Sequence, residues 1–208
     1  MKKNISFVVG LVLFAVSACT PSPSENVSST KSTAPSNSSD QNKTEAPKTD
    51  SKPANGWQDY SSAAGKFSVQ VPNKPQEVSQ EKKTDIGNIK INMAVSESNS
   101  SAYMASYNDY PEKFADSEVQ LRLTEGVKGF VTGSIQGEIK SSKESKLGDI
   151  PCQDFEATGK IQSINASAKG RICIADSIRL YQVVAVGPSD KFSVSDVDRF
   201  IASFKINK

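Results

Sequence analysis

The chain has 208 residues, with 25 Lys and Arg against 23 Asp and Glu, and no histidine. The missing imidazole excludes Ser-His and Cys-His catalytic pairs, mixed Cys/His zinc sites and the usual pH sensor. No Gly-rich phosphate loop of the P-loop or dinucleotide type occurs, and the near-balance of charge gives no net basic character to favour nucleic acid.

Lys2 and Lys3 precede an uncharged, mostly apolar stretch from Ile5 to Ala18. Its length suits a signal-peptide core and falls short of the ~20 residues a transmembrane helix needs. It ends Val16-Ser17-Ala18-Cys19, which resembles the bacterial lipobox: an aliphatic residue, two small residues and a cysteine. The resemblance implies a bacterial lipoprotein. Residues 1–18 are then a cleaved signal peptide, and Cys19 carries a diacylglycerol on its thiol and a further acyl chain, such as palmitate, on its new amino group. Two or three acyl chains anchor a protein stably where one binds marginally. The implied location is a bacterial membrane, with the rest of the chain in the periplasm, on the cell surface or in a thylakoid lumen. The competing reading is an ordinary secretory signal with a coincident cysteine. Loss of Lys2 and Lys3 leaves 23 basic and 23 acidic residues, so the mature chain is formally neutral.

Residues 19–56 follow as the lipidated cysteine and a tether. From Thr20 to Gly56, Ser, Thr, Pro and Asn make up 23 of 37 residues, no aromatic occurs, and Val27 is the one large aliphatic. Such a segment cannot bury enough apolar surface to offset its ordering entropy, so disorder is expected. As a flexible coil it spans about 30–36 Å, a spacer between membrane and folded domain.

Residues 57–208 suffice for one folded domain. Phe67, Val69 and Val71 alternate with polar residues in Lys66–Pro72, the pattern of a half-buried strand. Glu77–Thr84 reads as an exposed strand, and Asp85-Ile86-Gly87-Asn88 as a turn. Asn88–Ser96 alternates through Ile89, Ile91, Met93 and Val95, and Ala102–Asn108 places Tyr103, Ala105 and Tyr107 on one face. Val119, Leu123, Val127 and Phe130 then take helical spacing, predicting a helix over 116–132 with Gly133 at its end. Strands are expected over 135–146, 152–161, 166–176 and 179–186, the last being the most apolar and so central. Val197, Phe200, Ile201 and Phe204 stripe a closing helix capped by Ser193 or Ser195. Trp57 and Tyr60 are expected to cover an edge of the core. Strands, helix, strands, helix, with no βαβ alternation, predicts an α+β fold: a twisted antiparallel sheet flanked by helices.

Cys152 and Cys173 fall in consecutive predicted strands. Outside the cytosol such cysteines tend to pair. A hairpin tip at Gln162-Ser163 sets them opposite each other, whereas a tip at Asn165-Ala166 moves them out of register. Two buried free thiols are the alternative reading. Asp149, Asp154 and Glu156 around Cys152, and Asp109 and Glu112 around Tyr110, are candidate ligands for a hard cation or simply solvated charge. Neither set has EF-hand spacing, and no metal site is assigned. Tyr103, Tyr107 and Tyr110 form the densest aromatic group and are a candidate binding surface, with core packing as the plainer reading. No catalytic set and no cofactor is assigned.

Gly65-Lys-Phe-Ser-Val-Gln-Val-Pro72 resembles the opening strand of PsbP-like domains, in which an aromatic strand ends in a proline turn. Leu180-Tyr-Gln-Val-Val-Ala-Val186, followed by Ser195-Asp-Val-Asp-Arg-Phe-Ile-Ala-Ser-Phe204, resembles their final strand and helix. The resemblance implies an α/β/α sandwich and a non-enzymatic binding or assembly role, with a protein partner in the envelope or thylakoid lumen. It also admits a narrower reading, an extrinsic photosystem subunit. Metal sites of the family that use histidine do not carry over to this chain. An enzyme of unrecognised type is the remaining alternative.

Overall fold

The apolar run at 179–188 forms the middle strand of the larger sheet, because both its faces find apolar cover. The computed structural model describes residues 56–84 and 87–207. The expected signal peptide, Cys19, the tether up to Asn55 and the Asp85-Ile86 part of the turn lie outside them.

Among the described residues the strands are β1 (Gln58–Ser62), β2 (Phe67–Val71), β3 (Gln76–Thr84), β4 (Gly87–Ser98), β5 (Ser101–Asp109), β6 (Glu138–Leu147), β7 (Ile150–Ile161), β8 (Ile164–Ala175), β9 (Arg179–Pro188) and β10 (Lys205–Ile206). Helix α1 (Asp116–Ile135) links β5 to β6, and α2 (Val194–Ser203) links β9 to β10. A seven-stranded sheet has the order β3-β4-β5-β9-β8-β7-β6, and a three-stranded sheet the order β1-β2-β10. All their pairings are antiparallel. This is the expected α+β class. None of the described helices is long and apolar enough to cross a membrane.

Strand alternation divides the core in two. Leu180 and Val184 of β9 point into a cluster with Val119, Leu123, Val127 and Ile135 of α1 and Phe155, Ile172 and Ile174 of β7 and β8. Tyr181, Val183 and Ala185 point into the other cluster, with Phe67, Val69 and Val71 of β2 and Val197, Phe200 and Phe204 at α2. Helix α1 therefore lies on one face of the large sheet, and α2 and the small sheet lie on the other.

Two expectations at α1 change together. The helix runs past Gly133 to Ile135, and Gln136 takes the left-handed cap at φ 45° with its N–H donated to the Val131 carbonyl. Ile135 extends the stripe of Val127 and Val131 and is fully buried. That burial outweighs the ~1 kcal/mol helix cost of a glycine. The following strand accordingly starts at Glu138 rather than Ile135. Gly137 and Gly159 then cross backbone to backbone, where a Cβ on either would overlap the main chain of the other side. At α2 the choice of cap is settled: the Ser193 side chain accepts from the Asp196 N–H. Strands β1 and β10 have no counterpart in the sequence reading. Both are short, and β1 offers only Tyr60 as a large apolar residue.

Candidate functional site

Three of the residue groups singled out in the sequence resolve into structural roles. The β7–β8 turn falls at Gln162 and Ser163, both left-handed at φ 47° and 73°. That register sets Cys152 directly opposite Cys173, and the two form a disulfide buried in the α2-side core.

Three of the five acids are held by basic partners, and the other two, Asp149 and Glu112, are exposed. Asp154 accepts two bonds from Arg171, at 2.6 and 2.8 Å, and one from Ser145 at 2.9 Å. Burial pushes its carboxyl up, but the Arg171 and Ser145 bonds outweigh that and leave it below its ordinary range. Asp109 accepts two bonds from Arg179, both at 2.6 Å, which hold its carboxyl down. Glu156 pairs with Lys169 at 2.9 Å. Among the described residues no three His, Cys, Asp or Glu side chains gather as a metal site would require.

The tyrosine group does not make one surface. Tyr103 is 2% exposed and packs edge-on against Trp57 and Phe200, with ring centroids at 5.7 and 5.4 Å. Tyr107 shares that face, half-buried. Tyr110 belongs to the α1-side core, 4.6 Å from Phe114. The period of two keeps 103 and 107 together, and the chain leaves the strand after Asp109. Trp57, expected to cover a core edge, is itself buried.

Tyr107 does line a cleft of about 230 Å³ between the β1–β2 hairpin and the β3–β4–β5 part of the large sheet. Register builds its floor. Glu77, Ala94 and Ala105 form one rung across β3, β4 and β5, and Ser79, Asn92 and Tyr107 form the next. All six line the cleft, facing Tyr60, Ser62 and Phe67 of the hairpin. The Tyr60 hydroxyl donates to Glu77 Oε1 at 2.9 Å and ties the two sheets together. Burial first, and the neighbouring Glu77 second, push the Tyr60 phenol up to about 12, so it remains a donor at neutral pH. Ser79 donates to Asn92 Oδ1 at 2.8 Å. The Phe67 ring stands between Tyr60 at 6.0 Å and Tyr107 at 6.3 Å.

Behind the cleft, Arg179 lies over the Tyr107 ring, 5.2 Å from its centroid, and donates to the Ala64 carbonyl at 3.2 Å. Tyr181 donates to the Gly65 carbonyl at 2.9 Å. These bonds fix the hairpin that forms the outer wall. Tyr60 and Glu77 had no functional reading in the sequence, where one covered an edge and the other sat in a polar strand. Their meeting depends on how two separate sheets stack, which strand periodicity does not encode.

No protein-family model matches the chain, and no curated protein matches it. Two solved structures are similar to it. The solution structure of cyanobacterial PsbP (CyanoP) from Synechocystis sp. PCC 6803 is 13% identical with a TM-score of 0.49, covering 77% of this chain and 98% of that one. A crystal structure from Bacteroides thetaiotaomicron VPI-5482 is 13% identical with a TM-score of 0.44, covering 74% of this chain. This chain spans about half, 49%, of the Bacteroides protein. Neither likeness is close enough to carry an argument about family or function.

Proposed function

We propose that this chain is a membrane-anchored, exported lipoprotein whose domain, 57–208, is a PsbP-like α/β/α sandwich acting as a non-enzymatic binding or assembly module. The anchor rests on Val16-Ser17-Ala18-Cys19 and the Ser/Thr/Pro/Asn-rich tether that follows. The PsbP-like reading rests on the segments 65–72 and 180–204.

The observation that favours binding over chemistry is the cleft. Its lining holds one carboxyl side chain, Glu77, hydrogen-bonded to the Tyr60 phenol, and no lysine, arginine or second carboxyl. General acid–base work needs paired groups poised near the working pH. The acids with strong partners elsewhere, Asp109 and Asp154, are held ionised by arginines.

A crosslinking pull-down from native membranes, wild type against Cys19→Ala, tests the proposal. The expected result is a set of partner proteins enriched with the wild type and lost with the variant. Recovered photosystem proteins would narrow the module to an extrinsic photosystem subunit. No partner in either form overturns the assembly role.

A further inference from the structure

We infer that the cleft between the β1–β2 hairpin and β3–β5 is a binding site for a small organic ammonium group. This rests on the binding-module reading and names the ligand class. The lining carries one formal charge, the Glu77 carboxylate, and no lysine or arginine, and Arg179 behind Tyr107 is already neutralised by Asp109, so the cleft disfavours an anionic ligand. Tyr60 occupies Glu77 Oε1. Among the described residues no basic side chain comes within ion-pair distance of Glu77, which leaves its other oxygen free to accept.

The remaining wall suits the same ligand. Tyr60 and Tyr107, both only half-buried, are among the lining residues, and aromatic rings attract cations through their quadrupole. The fold already uses this attraction three times, with Arg179 over Tyr107, Arg122 over Phe114 and Arg199 over Trp57 at 5.2, 5.0 and 4.8 Å. Ser79 and Asn92 add a hydroxyl and an amide on the floor. A hard divalent cation wants about six to eight oxygens, more than this set offers. The volume, about 230 Å³, is below the ~300–1,000 Å³ of pockets that take drug-sized molecules, which suits a short alkylammonium or the end of a lysine side chain.

The test titrates the full-length protein in detergent with n-butylammonium chloride and, separately, with neutral n-butanol. Carbon-13 signals of the tyrosine rings report, with Tyr60 and Tyr107 assigned by Tyr→Phe variants. Saturable shifts at both rings with the amine and none with the alcohol are expected. Glu77→Gln should weaken binding about fivefold or more. Glu77 is exposed, and an unchanged Tyr103 signal shows that the variant is folded. A lysine analogue, Nα-acetyl-lysine methylamide, distinguishes the source: tighter binding than butylammonium assigns a partner's lysine, and equal or weaker binding a free amine. No saturable shift, equal response to butanol, or full affinity in Glu77→Gln overturns the site. Such a failure leaves the pull-down result standing, and an empty pull-down leaves this titration standing.

Discussion

On one face of the large sheet, α1 lays Val119, Leu123, Val127, Val131 and Ile135 over β7 and β8. On the other face the rings of Trp57, Phe67, Tyr103, Tyr181, Phe200 and Phe204 meet, brought from segments far apart in the chain. The α1 face is filled by one helix lying across neighbouring strands, with Phe130 against Phe155 at 5.6 Å and Gln120 donating to Gln153 at 2.7 Å. The aromatic face is shape with polar handles. Tyr181 donates to Gly65, the Gln70 N–H to Ser203 Oγ at 2.8 Å, and Arg199 to Gln70 Oε1 at 3.0 Å. A helix seals what it covers. A small sheet held by a few long-range bonds leaves a gap at its rim, and the cleft is that gap. The proposed binding site therefore belongs to the face closed by distant segments.

Truncation separates the two faces. Phe67 is buried against Tyr60, Tyr107, Tyr181 and Phe204. Phe67→Ala should cost about 4 kcal/mol in urea unfolding, because a ring-sized hole opens between two sheets. Leu123, equally buried under α1, should cost about 3 kcal/mol as alanine. The discriminating readout is the Tyr60 ring signal, which should move in Phe67→Ala and stay in place in Leu123→Ala. If both substitutions moved it, the two cores would be one unit and the contrast between faces would fail.

The disulfide belongs to the aromatic face and should matter nearly as much. Cys152 and Cys173 are 21 residues apart, and closing that loop contributes about 3 kcal/mol by the chain-entropy estimate. The double variant Cys152→Ala/Cys173→Ala should lose about that much in urea unfolding, and a reductant should then have no further effect on it. A loss well under 1 kcal/mol would mean that the β7–β8 pairing already restrains the unfolded chain.

The contrast between faces also decides what could be read from the sequence. Strand β9 and helix α2 were legible because their patterns are local: a run of Leu180, Val183, Val184 and Val186, and a helical stripe of Val197, Phe200 and Ile201 behind a serine cap. The cysteine pairing was legible once the turn was placed, since an antiparallel register follows from its tip. Helix α1 was legible except for its last turn, where Gly133 argued for a stop and Ile135 for one turn more. The cleft was not legible. Tyr60 and Glu77 are 17 positions apart, sit in different sheets, and belong to strands with weak apolar alternation. The sandwiching that joins them is set by aromatic packing around Phe67, a contact between five chain segments that no local pattern announces.

The smallest expected effect is the sharpest test of the cleft wall. Tyr60 should titrate at about 12, because burial strips water from the phenolate and Glu77 repels it. Its folded value then lies above the unfolded value of about 10, so the unfolded chain gives up this proton first. The stability linked to it is complete below pH about 10 and is lost as pH rises toward 12. Glu77→Gln removes the charge but not the burial, and burial is the larger cause. The Tyr60 midpoint should therefore fall only part of the way and remain above the unfolded value, as followed by its ring carbon signal. Tyr103, pushed to about 12 by burial and then by Asp196, should not move in that variant. A Tyr60 midpoint that returned fully to the unfolded value would mean that water already reaches the phenol, and that the hairpin does not form a closed wall over the large sheet.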